Sequence, residues 1–552
     1  MKVLLSSTMT MLLLLAACGE QPEETAASPL DVMPDAALFS IALVDPAAVI
    51  AAMDSYAAGV PVLGESAVSG WILSALNCAD MSELDGRLGI RSDGGLTVYM
   101  ESMMPQSMGA ALTVSDPTVF WANIGLTPQP AEPIDDHEVT SIPVDFGSIY
   151  FCNTNGLLLA AGSRAGLQSM LERLDGRMPE GMPEIARGSI YMFTNVELFG
   201  PMVAGQLAMV EPQIMAEMSA QGEMNMDMMQ GVMGMYFDAI ELFLTSTSSW
   251  SCVLTFGPEI INGNSWVRFV PGSPLDQNVV PASVGDITHL VPAGDVMVAR
   301  VCIDPATSRA AMNAVFGAMG ITDIPMDMVD FWSSMTASTA MSMNFDADNP
   351  LHVTAVYEIP EGTTLEDVGA AYDSQFGMME QFLSIPGMSF NPVETVEYGG
   401  RQWMTFGMDM DMAALQPDSV EVEAPVVQSV SWTAWFTVES GSLYLEMAPE
   451  PVTVSSILEG TYSGGYVSDM PEMDTFSDDS EIALLLNIPE YLNMAMGMAG
   501  LEVPLIDSEP VWMIAEVDLQ QGGVAGSFEV SGTDMTAFIG QAIQSFAAMA
   551  QQ

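Results

Sequence analysis

VMPDAALFSIALVDPAAVIAAM, residues 32–53, and VPAGDVMVARVCIDPATSRAAM, residues 291–312, are two versions of one pattern. Pro34 matches Pro292, Asp45-Pro46 matches Asp304-Pro305, and Ala51-Ala52-Met53 matches Ala310-Ala311-Met312. Each copy reads as a strand, an Asp-Pro junction and a helix. The Asp carboxylate is suited to cap the orphan N–H groups of the first turn. Pro fits the first helical position, where its missing N–H would have no partner anyway.

The likeness continues outward in the same order. GRLGIRSDGGLTVYM (86–100) reads as a hairpin matching AMSMNFDADNPLHVTAVYE (340–358), with Val98-Tyr99 opposite Val356-Tyr357. Both alternate around a Gly, Asp or Asn turn. IYFCNTNGLLLAAG (149–162) matches AWFTVESGSLYLEMA (434–448), and each is followed by a helical run. SIYMFTNV (189–196) matches EIALLLNI (481–488), sharing Asn195 and Asn487. Two further strands close each half, at 250–257 and 265–270 in the first and at 511–518 and 524–531 in the second. Matches in one order point to duplication. The expected fold is α+β, with two homologous tandem domains of mainly antiparallel sheet and packed helices. The expected domains are 32–272 and 288–552, with a linker over 273–287.

The halves differ most before their closing strands, where the first carries a methionine-rich insert over 202–236. Met229, Met233, Tyr236, Ile240 and Phe243 fall at helical spacing, and Met228, Val232 and Met235 widen that face. Pro212 is expected to break or kink the preceding helical segment. Such a face serves as core, with Met replacing Leu, or as an adaptable surface for a lipid, a peptide or a partner helix. Core is the commoner use. The insert is nonetheless the first candidate for a binding element.

The chain has 71 acidic residues against 11 basic ones, a formal charge of −60 over 552 residues, and Lys2 is its only lysine. Nucleic acid is a poor partner for a chain without basic patches. Schiff-base chemistry, Walker A loops and Ser-Lys dyads all need a lysine and are excluded from the body. Divalent cations are expected at most as low-specificity screening ions. Asp135-Asp136-His137-Glu138 and Asp346-Ala347-Asp348-Asn349 are acidic clusters in turn-like sequence, and no twelve-residue calcium loop is present. Met-x-Met arrays at 224–228, 408–412 and 494–498 offer soft sulfur, but no histidine cluster accompanies them. No resident metal or cofactor is expected.

Cys78, Cys152, Cys252 and Cys302 allow three pairings into two disulfides, and buried free thiols are an equal alternative. His137, His289 and His352 are the only histidines, and no nucleophile elbow, dinucleotide fingerprint or phosphate loop occurs. A pair of carboxylates could still hydrolyse glycosides if the fold brought them together.

The N-terminus supplies the address. Lys2, the apolar run Val3–Leu15 and small residues before Cys18 form an export signal too short to span a membrane. Leu15-Ala16-Ala17-Cys18 resembles the lipobox of bacterial lipoproteins. That resemblance implies removal of residues 1–17, diacylglycerol on the Cys18 thiol and a membrane-held mature chain. Gly19, in the place of an Asp, favours the outer over the inner membrane by the same resemblance. Residues 18–31 read as a polar, flexible tether. The opening Val-Pro, strand, Asp-Pro, helix pattern is also similar to uncharacterised secreted bacterial proteins, which carry no known activity. The expected function is therefore non-enzymatic: an envelope lipoprotein that binds or scaffolds a protein partner. A carrier of a hydrophobic ligand is the alternative, and a carboxylate-based hydrolase comes third.

Overall fold

The computed structural model describes residues 28–549 except 35–36, 59, 61–65, 77, 80, 145–146, 175–184, 186, 221–225, 284, 286, 319–325, 336, 346–350, 383–387, 411–429, 478–479 and 499–507. Cys18, the expected export signal and most of the expected tether lie outside these residues. The tether is shorter than its sequence suggests. Ser28 caps a 3-10 turn over Pro29–Val32, and Pro29, Leu30 and Val32 are buried. Residues 28–31 are thus part of the fold, because two large apolar side chains find core there.

The protein is α+β, built on antiparallel sheet, and its residues group into two compact units. The first comprises 1–199, 247–268 and 529–552, and the second 200–246 and 269–528. The linear boundary at 273–287 is crossed twice, since 200–246 group with the second unit and 529–552 with the first.

In the first half of the chain, β1 (Phe39–Val44) leads into α1 (Pro46–Ala58), α2 (Ala67–Leu76) and α3 (Met81–Leu88). β2 (Gly95–Met100) and β3 (Met108–Thr113) follow, then α4 (Pro117–Ile124) and β4 (Gln129–Pro130). Next come β5 (Val139–Val144), β6 (Gly147–Thr154), β7 (Leu157–Ala161), α5 (Arg164–Arg173) and β8 (Ser189–Thr194). Two long helices, α6 (Val196–Ala220) and α7 (Met226–Ser246), precede β9 (Thr247–Phe256) and β10 (Ile260–Phe269). The sheet runs β4-β5-β6-β7-β3-β2-β1-β8-β9-β10.

The second half of the chain begins with α8 (Pro274–Asn278), β11 (Met297–Val301), α9 (Pro305–Ala318) and α10 (Met326–Met335). β12 (Thr339–Asn344), β13 (His352–Glu358) and α11 (Leu365–Phe382) come next. They lead to β14 (Met388–Tyr398), β15 (Arg401–Met410), β16 (Val430–Glu439), β17 (Ser442–Met447) and α12 (Val452–Leu458). β18 (Ile482–Asn487), α13 (Ile488–Met498), β19 (Trp512–Gln520), β20 (Gly523–Ser531) and α14 (Gly532–Met549) complete the chain. Its sheet runs β14-β15-β16-β17-β13-β12-β11-β18-β19-β20, the same neighbour order as in the first half.

Local chemistry recurs with that order. Asp45 Oδ1 accepts the Ala48 N–H at 3.1 Å, and Asp304 Oδ1 accepts that of Ala306 at 2.8 Å, so both Asp-Pro junctions cap their helices. Asn155-Gly156 and Ser440-Gly441 both have positive φ throughout, as a two-residue hairpin turn of type I′ requires. The Asn195 N–H donates to the Leu38 carbonyl, and the Asn487 N–H to that of Val296.

One sequence match is corrected. Residues 86–100 are not a hairpin: 86–88 close α3, and β2 is paired with β1 and β3. By strand order Gly95–Met100 corresponds to β12, whereas Val356-Tyr357 lie on β13. Alternation has a period of two residues, so neighbouring strands look alike and an alignment slips by one strand without a local penalty. Of the break or kink expected at Pro212, the break does not occur, because α6 runs through both Pro201 and Pro212. Pro212 and the Ala208 it would have bonded are exposed, so water satisfies the freed carbonyl.

The cores are separate. In the first unit Tyr99, Leu157, Leu159, Leu167 and Met170 are fully buried together. Tyr99 lies across Gly109 on the adjacent strand, where a Cβ would come within 2.3 Å of the ring. Arg173 Nη2 donates to the Tyr99 hydroxyl at 2.9 Å, holding the ring in place. In the second unit the corresponding register positions carry Ser342 and Thr354, with Glu446 next to them on β17. There Trp403, Val298, Val356, Tyr444 and Leu485 form one cluster, and Tyr372 stacks on Phe436 at 4.8 Å in another.

Candidate interaction surface and buried polar cluster

The insert folds as predicted in type, but part of its apolar face is turned outward. Met228, Met229, Val232 and Met233 belong to α7 together with Tyr236 and Ile240. Tyr236 is 58% exposed, Ile240 43% and Phe243 39%, so the core reading fails for these three. Spaced i, i+4 and i+7, they form one stripe rather than scattered contacts. Leu244 faces inward at 8%, and α7 packs on α8 and α9. The helix therefore has one apolar flank used by the fold and one that the fold leaves open. On α6, Met202 and Met209 are also exposed, seven residues apart.

A polar cluster that the sequence did not reveal lies at one end of the second sheet. Glu446, 1% exposed, accepts three hydrogen bonds. Its Oε1 takes the Thr453 N–H at 3.1 Å and meets His352 Nε2 at 3.0 Å, and its Oε2 takes the Val454 N–H at 2.8 Å. It caps α12 from the neighbouring strand, where the helix dipole favours a negative charge. Asp295 stands near His352, and burial pushes its carboxyl above the ordinary range. Two carboxylates about a histidine suggest acid–base chemistry. Their bonding is structural, however, and the adjacent Ser342 and Thr354 hydroxyls are sealed at 0% and 1% exposure.

The first unit has one carboxylate under strain. Asp85 accepts a hydrogen bond from Ser92 Oγ at 2.9 Å, while its buried Oδ1 has no partner among the described residues. Burial, with Asp93 adding to it, pushes the carboxyl up to about 6. A raised acid keeps its proton in the folded state, so its stabilising effect is complete below about pH 4 and is lost as pH rises to about 6. The group is partly open to solvent, which reduces the effect to about 1 kcal/mol. Asp85→Asn is expected to raise stability by about 1 kcal/mol at pH 7, with the gain vanishing at pH 4. Urea midpoints at the two pH values check this, and equal gains at both would refute the assignment.

Cys152, Cys252 and Cys302 carry free thiols, so the two-bridge framework is not formed. Burial pushes the Cys152 thiol up to about 11, which leaves little reactive thiolate at neutral pH. Among the described residues no group of three His, Cys, Asp or Glu side chains is placed to hold a metal. Asp135 sits at positive φ in a tight turn closed by Ile134 and His137, a conformational use of the acid. The cluster at 346–349 lies outside the described residues. A cavity of about 650 Å³ in the second unit is lined by Gly285, Glu358, Glu361, Thr363 and Ser440, not by methionines and aromatics. No helix among the described residues is long and apolar enough to cross a membrane.

No family model and no curated protein matches the chain. A solved structure, crystal form I of TP0453, aligns over 47% of this chain and 98% of its own at 10% identity, and its TM-score of 0.20 is too low to carry any argument.

Proposed function

We propose that this is an exported, lipid-anchored protein of the bacterial envelope, held at the outer membrane through Cys18, that works by binding another protein rather than by chemistry. The open stripe Tyr236–Ile240–Phe243 on α7 supports this reading. Covering one large apolar side chain in an interface contributes about 1–2 kcal/mol, and three in a row make a small hot spot.

Two measurements test the reading. Cys18→Ala is expected to shift the protein from the membrane to the soluble fraction, and unchanged fractionation would end the anchoring claim. A photo-crosslinking residue at position 240 is expected to capture a discrete envelope protein, whereas one at the exposed Asp238 on another flank is not. Tyr236→Ser with Phe243→Ser should reduce that capture at least about tenfold. Equal capture at both positions would refute docking on this face.

A further inference from the structure

We propose that α2 of the first unit is the face this protein lays on the bilayer, with Trp71 seated among the lipid headgroups. The inference rests on the anchoring at Cys18. Trp71 is 58% exposed, and Gly70, Ser74 and Ala75 beside it are exposed as well, while Ile72 on the other flank is 4% exposed. The helix is firmly placed. It packs on α1 and α3, and Asp54 Oδ1 on α1 caps it by accepting the Val68 N–H at 2.8 Å and the Ser69 N–H at 3.1 Å.

α2 carries no charge of its own and exposes a tryptophan. No acidic or basic residue occurs between Glu65 and Asp80, in a chain with 71 acids. An acidic surface brought to a bilayer loses carboxylate hydration and, over anionic lipid, meets repulsion. α2 itself adds no carboxylate to that cost; Asp54 lies at its first turn and Glu83 beyond its last. Tryptophan is the side chain that settles at the membrane–water boundary, with its ring among apolar groups and its N–H still wet.

The tether supplies proximity. The fold begins at Ser28, ten chain steps from Cys18. That length spans at most about 35 Å. A weakly attracted face at such range acts at high effective concentration, so one tryptophan without basic neighbours suffices. A second copy of this chain is a poor occupant, because two bodies of charge −60 repel.

The test uses the full lipidated protein in phosphatidylcholine vesicles, with and without bromine on the acyl chains near the headgroup. Bromine quenches nearby tryptophan. The wild type should float with the vesicles and lose fluorescence in the brominated ones, and Trp71→Phe should abolish at least half of that loss. Flotation without a Trp71-dependent loss would overturn the inference and leave the anchor standing. Failure to float would overturn the anchor and the inference with it.

Discussion

Glu446→Ala is expected to lower the stability of the second unit by about 2–4 kcal/mol, the cost of removing a buried acceptor that serves three donors. The carboxylate is 1% exposed and serves three donors: two N–H groups at the start of α12 and His352. Alanine leaves all three without that partner, the Val454 N–H in a buried position and Thr453 and His352 half-buried. The cap alone is worth about 1 kcal/mol, and each stranded donor adds about 1–3 kcal/mol. Glu446→Gln keeps one acceptor oxygen and nearly the same volume, so a loss of about 1–2 kcal/mol is expected. Denaturant unfolding of the two variants checks both values. A loss below about 1 kcal/mol for alanine would mean that water replaces the carboxylate at all three donors, and the structural role assigned to Glu446 would have to be abandoned.

Removal of α14 is expected to destabilise the first unit, although the deleted residues lie at the far end of the chain. α14 packs on α1, and Phe538 is 4% exposed. The Gly532 N–H donates to the Glu259 carbonyl at 2.7 Å. Gly532 also lies against the Tyr56 ring, where a Cβ would come within 2.4 Å. The Tyr56 hydroxyl in turn donates to the Gly257 and Ile260 carbonyls. Phe538→Ala alone should cost about 3–5 kcal/mol, as large-to-small changes at buried aromatics do. Truncation after Ser531 should cost more, and limited proteolysis should then cut preferentially between Ser28 and Phe199. A truncated chain as resistant as the full one would show that α14 contributes nothing to the unit with which it groups.

The readings that held share one property, which is that their physics is local. The Asp-Pro caps need only an acid, a proline and the first turn after them. The turns at Asn155-Gly156 and Ser440-Gly441, which were not singled out in the sequence, are local in the same way, needing only two residues able to adopt positive φ. The α7 stripe needs only helical spacing. Where the reading slipped, a second solution was equally good locally. The hairpin placed at 86–100 follows from alternation that any neighbouring strand satisfies. The break expected at Pro212 did not count the water available to an exposed helix.

The buried cluster had no local signal. His352 and Glu446 are 94 residues apart, and they meet because β13 and β17 are neighbours although three strands intervene in sequence. Asp85 reads as an ordinary acid on a helix until burial strands one of its oxygens. Trp71 stood in an apolar run that sequence could have assigned to core, and only its exposure makes it a surface residue.

By itself, the sequence determined the α+β class, the antiparallel strands, the capped junctions, the helical nature of the insert and the acidic charge balance. These depend on period, composition and short-range hydrogen bonding, which are complete within a few residues of chain. Tertiary structure alone decided which strand lies beside which, that 200–246 and 529–552 group away from their neighbours in sequence, and which apolar faces remain uncovered. Those outcomes depend on what arrives from a distance to bury a surface or satisfy a donor, and no local window of sequence contains that partner.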